Sequence, residues 1–280
     1  MDWGGRTGMA EDAEDLVRPA AEVFAALRAF DPALPELTVA EVAGRAGLDR
    51  DTASRLVHAL VSLGYLRPVP GGRRFRLGLR CLELGFTALA RRDLRAHAAP
   101  LLRERVPAVA DAGLLGALDG PDVVHLVRVA AGPGRCDVSR RPGRRTPARG
   151  SALGLAQLAF LPQARQVAAL AGAGWAEPSE RAPTDLGVLL ERLRRVRARG
   201  YAVSDGWNAC GLRTVAAPVL DAGGAPIAGV GFVVDAGRTT LDEFVALAGP
   251  EILHVAKQLT DAVRCSAGAI GVGSSCRGRG

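Results

Sequence analysis

The chain has 280 residues, of which 48% are hydrophobic and 23% charged, and its formal net charge of +7 is carried almost entirely by arginine. This composition excludes a disordered chain, and the length favours two domains over one. Apolar runs are too short to span a membrane, residues 1–15 lack the order of a signal peptide, and the five cysteines are scattered without a C-x-x-C pair. We therefore expect a cytoplasmic protein that binds no membrane, metal or cofactor. Its positive charge suits a polyanionic partner.

Residues 38–77 have the order of elements of a winged helix-turn-helix. A T-x-x-E capping box at Thr38 predicts a first short helix, and Gly47 suits its left-handed end. Asp49 is the expected N-cap of a second helix. An arginine-rich hairpin with a Gly71-Gly72 reversal follows, and we predict that it is the wing.

The second helix predicts a DNA-facing surface. Its apolar residues recur at helical spacing, which turns the remaining side chains to solvent. We expect contacts with DNA from Arg50, Asp51, Ser54, Arg55 and His58, and from the wing residues Arg74 and Arg76. Motif and charge together favour this interpretation, although a structural helix pair with a solvated hairpin would show the same pattern.

Two further helices flank this segment. A helix over residues 19–30, with Pro19 in its first turn, would complete a three-helix core. Beyond the wing, a linker helix over residues 79–93 carries a short coiled-coil-like seam of Leu79, Leu82, Phe86 and Leu89. The seam could join two subunits, or its side chains could pack on their own domain.

Residues 94–265 change to a mixed order of helices and strands. We first predict a helix to about residue 112, a hairpin of strands 114–118 and 123–129, and a basic loop over 142–150. A helix near Ser151 and a helix over 184–199 follow, and then strands over 201–204, 213–220 and 226–234. The last helix runs from a second T-x-x-E box at Thr240 to about Arg264. The glycine- and serine-rich tail, residues 266–280, is expected to be disordered.

The predicted fold class is therefore α+β. It consists of a winged helix-turn-helix domain (14–78), a linker helix (79–93) and a mixed α/β domain with a central antiparallel sheet (94–265).

Five segments in this order resemble the IclR-type bacterial transcription regulators. They are residues 48–56 with 64–66, the wing end 75–78, the loop 143–147 before 151–154, the pair 200–201 followed by 211–213, and residues 216–219. The resemblance covers about residues 20–264. It implies a winged helix-turn-helix, a linker helix and a C-terminal effector-binding domain whose sheet encloses a small-molecule pocket. It also implies homodimers or homotetramers on double-stranded operator DNA.

The start of the second helix departs from the family pattern. Members carry proline, lysine and serine where this chain has Asp49, Arg50 and Asp51, ahead of the matching Thr52 and Arg55. Thr52 therefore joins the predicted DNA contacts. Asp51 favours the helix dipole but repels phosphate, and it could instead accept a hydrogen bond from a cytosine amino group. A purely helix-stabilising role is an equal alternative.

The resemblance also implies the positions of an effector site. They match Ala152, Leu153, Ser204, Asp205, Thr214, Gly231 and Val233. Free backbone N–H groups at the helix start are suited to hold a carboxylate. Members that sense small acids carry hydroxyls at the last two positions. Glycine and valine remove these partners and are expected to open apolar space for a larger, partly apolar or aromatic carboxylate.

Three other residues bear on this site. Leu153 and Leu155 agree with an apolar ligand, although leucines on a helix are more often ordinary core. Trp207 lies with Cys210 on the loop beside the pocket and could stack on an aromatic ring, or it could be an ordinary exposed tryptophan.

The expected function is a ligand-responsive DNA-binding regulator and not an enzyme. Effector binding would stabilise one arrangement of the sensor domains, and the linker helices would pass it to the DNA-binding domains. Two alternatives remain open. One is an enzyme with an appended helix-turn-helix, for which Cys210 and Asp205 lack an obvious histidine partner. The other is a sensor or scaffold with weak DNA binding, because Asp49 and Asp51 oppose phosphate.

Overall fold

The computed structural model describes residues 10–31, 33–90, 94–132, 142–171, 185–206 and 211–271. The chain divides into two compact units, Met1–Arg91 and Arg92–Gly280. Within the described ranges, every helix is too short or too polar to cross a membrane, and His, Cys, Asp and Glu side chains form no group that could hold a metal ion.

The first unit is a winged helix-turn-helix, as the sequence predicts. Its elements are α1 (Ala10–Arg28), β1 (Glu36–Thr38), α2 (Val39–Ala46), α3 (Arg50–Ser62), β2 (Leu66–Pro68), β3 (Arg74–Leu77) and α4 (Arg80–Ala90). The strands form an antiparallel sheet in the order β1-β3-β2. Its inner face and the first three helices bury a core that includes Ala26, Leu37, Val42, Val57 and Leu66.

The turn between α2 and α3 follows the predicted capping chemistry. Thr38 Oγ1 accepts the Glu41 N–H at 3.3 Å, and a Glu41 carboxylate oxygen accepts the Thr38 N–H at 2.7 Å. Gly47 has a φ of 68°, a left-handed conformation that glycine adopts at little cost. Asp49 Oδ1 accepts the Thr52 N–H at 2.8 Å and so caps α3.

Two features of this unit differ from the sequence prediction. The first helix begins at Ala10, not near Pro19, so the proline lies inside the helix and not in its first turn. Strand β1 was not predicted, because it is short, Leu37 is its single buried residue, and it pairs with the distant strand β3.

The start of α4 and the residues just before it are hydrogen-bonded to the winged domain. The Gly78 N–H donates to the Tyr65 oxygen at 2.7 Å, and Arg80 Nη1 donates to the Leu63 oxygen at 2.7 Å. A Cβ on Gly78 would lie 2.3 Å from the Gly64 oxygen, so this close approach of two backbone segments requires glycine.

The predicted seam of the linker helix is partly visible. Leu79 and Leu82 are 75% and 51% exposed, so neither is buried in its own domain. The side chains of Phe86 and Leu89 lie outside the described part of the structure. Whether the seam joins two subunits stays a prediction, because Leu84, outside the seam, is 55% exposed as well.

The second unit is a mixed α/β domain. Its helices are α5 (Leu94–Val109), α6 (Ala152–Leu158), α7 (Gln163–Ala171), α8 (Leu186–Arg199) and α9 (Leu241–Gly271). Its strands are β4 (Ala112–Asp119), β5 (Asp122–Ala130), β6 (Arg145–Pro147), β7 (Ala202–Asp205), β8 (Leu212–Leu220) and β9 (Pro226–Asp235). The sheet is antiparallel, with the strand order β6-β5-β4-β9-β8-β7.

Helices cover both faces of this sheet. Because side chains alternate along a strand, Val215 and Phe232 pack with α5 and α9, whereas Ala216 and Val233 pack with α6 and α8. The predicted central antiparallel sheet is therefore confirmed, and α6 covers the face that carries Ala216 and Val233.

Several boundaries of this unit differ from the prediction. The first helix ends at Val109, and Ala112 already belongs to a strand. The basic loop contains strand β6, which its length and its proline concealed, and α7 was not predicted. The last helix runs to Gly271, beyond the expected end near Arg264, so residues 266–271 of the predicted disordered tail are helical. Residues 272–280 lie outside the described ranges.

Candidate functional site

The exposed face of α3 carries the predicted DNA contacts. Ala53, Val57 and Leu60 are buried against the domain core. The opposite side presents exposed Arg50, Asp51, Arg55 and His58, with Thr52 and Ser54 half-buried between them. The structure therefore brings all six predicted residues of this helix to one accessible surface.

Two of these side chains are held in place by neighbours one turn away. Arg55 Nη2 donates to Thr52 Oγ1 at 3.2 Å, which directs the guanidinium along the helix start. His58 Nδ1 lies 2.8 Å from the Ser54 carbonyl oxygen. Since a carbonyl can only accept, Nδ1 carries the proton, and Nε2 remains the ring nitrogen that faces other partners.

Asp49 has a structural role at the start of this surface. The Thr52 N–H and hydroxyl hold the pKa of the Asp49 carboxyl below its ordinary value. The carboxylate also lies near the positive end of the helix dipole. The departure from the family pattern at this position is thus a helix cap, which stabilises the element that carries the predicted DNA contacts.

The wing presents arginines on its outer face. Strand register places Arg76 between Glu36 of β1 and Arg67 of β2. Arg74 is engaged within the domain: its Nη1 donates to the Glu36 oxygen at 2.8 Å and lies 3.7 Å from a Glu41 carboxylate oxygen. Of the two predicted wing contacts, Arg76 is therefore the more accessible to a DNA partner. Arg67 was not predicted, although strand alternation after the buried Leu66 could have indicated it.

The predicted effector positions converge on the sheet face under α6. Ser204 pairs with Thr214, and Thr214 pairs with Val233, so the three form one row across β7, β8 and β9. All three are at most 5% exposed. Gly231 lies in the next row, opposite Ala216.

Leu153 of α6 covers this part of the sheet. A Cβ on Gly231 would lie 3.4 Å from Leu153 Cδ2, and a Cβ on Gly229 would lie 3.3 Å from the same atom. The space that Gly231 was expected to open is therefore filled by Leu153, which is only 1% exposed. Glycine here makes room for a side chain of the protein's own helix.

The start of α6 is capped by a side chain and packed against the preceding turn, and its first backbone N–H groups are candidate donors to a ligand. Ser151 caps the helix, because its Oγ accepts the Gly154 N–H at 3.0 Å. A Cβ on Gly154 would lie 2.1 Å from the Ala148 oxygen, so the preceding turn packs directly on the helix. Ala152 and Leu153 are the first two residues of α6, and the first backbone N–H groups of an α-helix have no partner within the helix.

Asp205 does not join the other effector positions. Its Oδ1 accepts from Arg213 Nε at 2.9 Å, and the register pairs these two residues on the sheet face opposite Ser204 and Thr214. Arg213 also donates to the carbonyls of Ala236 and Thr239. Asp205 thus links the end of β7, through Arg213, to the turn before α9, and it lies on the sheet face away from α6.

The structure adds one polar residue that sequence reasoning missed. Gln157 is 1% exposed, its Nε2 donates to the Leu153 oxygen at 2.9 Å, and its Oε1 accepts the Leu118 N–H at 3.0 Å. An isolated glutamine within the apolar α6 was the available signal. Trp207 and Cys210, by contrast, lie outside the described residues.

A winged helix-turn-helix with a cationic face, joined to a separate α/β sensor domain, defines a DNA-binding transcription regulator with a ligand-binding domain. The family model described as bacterial transcriptional regulator IclR C-terminal matches residues 86–261, and the model described as IclR helix-turn-helix domain matches residues 21–70. The chain belongs to the IclR family of bacterial transcription regulators.

Individual relatives agree with this assignment. The Pca regulon regulatory protein of Pseudomonas putida is 28% identical over 245 residues, which cover 88% of this chain and 84% of that protein. A solved structure from Rhodococcus sp. RHA1 is 31% identical with a TM-score of 0.75, and the match covers 88% of this chain and 98% of the other.

A third relative is a crystal structure of an IclR homolog from Microbacterium hydrocarbonoxydans in complex with 4-hydroxybenzoate. It is 22% identical with a TM-score of 0.74, and the match covers 87% of this chain and 99% of that chain. At this identity the likeness shows a common fold.

Proposed function

We propose that this regulator binds a small carboxylate under α6, that the ligand is partly apolar or aromatic, and that its binding changes the affinity of the protein for operator DNA. The C-terminal domain is then a sensor and not an enzyme, in keeping with relatives that are named regulators. A DNA partner also implies a cytoplasmic protein.

The observation that carries the carboxylate assignment is the start of α6. The N–H groups of Ala152 and Leu153 belong to the first turn of α6, where an α-helix offers backbone donors without a partner in the helix, and they lie at its positive end. Ser204 and Thr214 add two buried hydroxyls on the sheet face that α6 covers. Backbone N–H groups and hydroxyls are the donors that a carboxylate requires.

The apolar character of the ligand follows from the rest of the lining. Val233 and Ala216 of the sheet and Leu153 of the helix are all buried in one apolar cluster. Leu153 fills the space over Gly231. An aromatic acid would therefore enter only if the Leu153 side chain changes rotamer, whereas an aliphatic acid needs less displacement.

For the DNA side, we propose direct contacts from Arg50, Arg55 and His58 and a backbone contact from Arg76. Arg55 is positioned by Thr52, and a guanidinium can bind guanine through two hydrogen bonds. Arg76 is exposed on the outer face of the wing, where a phosphate contact adds affinity without sequence preference.

A homodimer or homotetramer completes the proposal. Leu79, directly before α4, and Leu82 of α4 are exposed and belong to the predicted seam, so two linker helices could pair through them. An effector that binds two arrangements of the subunits with different affinity would shift DNA binding. Coupling of about 1–3 kcal/mol would change operator occupancy roughly 5- to 150-fold.

The test is a gel-shift titration against the DNA upstream of the protein's own gene, at two salt concentrations. Benzoate, 4-hydroxybenzoate and aliphatic carboxylates of similar size form the ligand panel. We expect specific binding that one class of acid alters. Binding no better than to competitor DNA, in every ligand condition, would contradict the proposal for this operator.

A further inference from the structure

His58 lies on the exposed face of α3, beside Arg55. Its side chain is exposed, whereas that of its neighbour Val57 is buried against the domain core. His58 follows Arg55 by three residues, a spacing that places two side chains on the same face of a helix. The rise between them is about 4.5 Å, which is close to the base-pair step of about 3.4 Å. A duplex in contact with Arg55 would therefore also meet the imidazole of His58.

The helix fixes which ring nitrogen of His58 carries the proton. Nδ1 lies 2.8 Å from the carbonyl oxygen of Ser54, one turn earlier, and a carbonyl can only accept a hydrogen bond. In the neutral ring Nδ1 is therefore the donor, and Nε2 is an acceptor without a proton. Nε2 has no hydrogen-bond partner among the described residues. The bond within the helix thus accounts for Nδ1 and leaves an acceptor for an external partner.

Few groups of DNA can donate a hydrogen bond to this acceptor. Phosphate oxygens only accept, and so do the N7 atoms of the purines, O6 of guanine and O4 of thymine in the major groove. The donors there are the exocyclic amino groups, N4 of cytosine and N6 of adenine. Cytosine and adenine are the amino bases, and guanine and thymine are the keto bases. A keto base opposite Nε2 would bring two acceptors together and leave both unpaired.

We propose that neutral His58 selects an amino base over a keto base at one position of the operator. This inference rests on the proposed function, because it requires that α3 faces the major groove. It places a preference of opposite chemistry beside Arg55, whose guanidinium has donors only and suits guanine. The recognised group is the exocyclic amino group, so either cytosine or adenine satisfies the proposal.

The experiment selects binding sites for the full-length protein from a randomised DNA library at about pH 8, above the range in which histidine usually titrates. His58→Arg is the test variant, since arginine has donors and no acceptor, and it is also the better helix former. Ala59→Arg is the matched control, because Ala59 is exposed, adjacent in the same helix, and gains the same side chain and charge. His58→Ala identifies the base position that depends on this side chain.

We expect the unaltered protein to bind cytosine or adenine at this position about tenfold more tightly than guanine or thymine. Fluorescence anisotropy titrations of the selected site and of its single-base variants measure this ratio. His58→Ala should lose the preference, and His58→Arg should reverse it in favour of guanine. Ala59→Arg should raise the affinity for all sequences alike and keep the preference.

The outcomes separate this inference from the function on which it rests. A keto base at the position that depends on His58, an unchanged selected sequence in both His58 variants, or the same reversal with Ala59→Arg would overturn the inference and leave sequence-specific DNA binding intact. Failure of the unaltered protein to select any sequence would contradict the proposed function itself, and this inference with it.

Discussion

The side chain of Leu153 decides how much room the proposed effector site has. We predict that Leu153→Ala enlarges the space over Gly229 and Gly231 and destabilises the C-terminal domain. Leu153 is 1% exposed, and the substitution removes three carbon atoms from a closed core. At about 0.8 kcal/mol for each buried carbon, the lost transfer free energy is roughly 2.4 kcal/mol. The cavity left behind adds to this, so the total should be about 3–4 kcal/mol.

The matched control is Leu158→Ala. Leu158 lies further along the same helix, is also fully buried, and loses the same atoms, but it is not among the nearest neighbours of either glycine. Urea unfolding followed by circular dichroism should show similar losses of stability in the two variants. The transition of the winged domain should be unchanged in both.

Ligand binding then separates the two variants. Equilibrium dialysis with benzoate and 4-hydroxybenzoate should show that Leu153→Ala binds the aromatic acids more tightly, relative to a short aliphatic acid, than Leu158→Ala does. The reason is that only the first variant removes the group that an aromatic ring would have to displace. The same ligand preference in both variants would refute the placement of the effector under α6.

Three further predictions concern the remaining elements. Arg55→Ala should weaken specific operator binding by about 1–3 kcal/mol at fixed salt, measured by gel shift with nonspecific DNA as the control, and an unchanged affinity would contradict its role. The pKa of Asp49 is lowered by folding, so its stabilising contribution is complete above its ordinary pKa of 3.8 and is lost as the pH falls through the lower folded value. The difference in unfolding free energy between the unaltered protein and Asp49→Ala should therefore become smaller in strong acid, where the protonated carboxyl is a weaker acceptor, and a difference that does not change with pH would contradict the role of the ionised cap. Gly154→Ala should lower the melting temperature of the C-terminal domain, because its Cβ would lie 2.1 Å from the Ala148 oxygen, whereas Gly150→Ala has no neighbour within 4 Å and should be neutral. Equal melting temperatures of the two variants would show that α6 can move far enough to accept the added Cβ, and would contradict this prediction.

The elements that sequence reasoning found are those with local signals. The capping box at Thr38, the left-handed Gly47 and the cap Asp49 each act within one turn, so a few adjacent residues specify the structure. The missed strands β1 and β6 depend on distant partners: β1 pairs with β3, and β6 pairs with β5. Short strands of this kind carry too few residues for an alternating pattern to be seen.

The candidate site likewise combines features that the sequence predicts with features that it does not. Strand positions 204, 214 and 233 were expected to converge, and the register places them in one row. Asp205 lies on the opposite face from Ser204 because β7 extends to Asp205, one residue beyond the predicted strand end, and adjacent strand residues alternate between faces. The sequence could not show that Leu153 fills the space over Gly231, because this depends on packing between elements far apart in the chain. A family pattern identifies positions, whereas side-chain contacts determine which of them remain open to a ligand.

The attachment of α4 limits how a ligand signal could reach DNA. Gly78 and Arg80 bond to backbone carbonyls of residues 65 and 63, directly after the end of α3. Since Gly78 also approaches the backbone of Gly64 too closely for any side chain, the start of α4 cannot slide along the winged domain without breaking these contacts. In the proposed mechanism, a movement of α4 therefore carries α3 with it as one body, and the exposed Leu79 and Leu82 lie on that same body. The effector would act by changing the spacing of two intact recognition helices, not by deforming either of them.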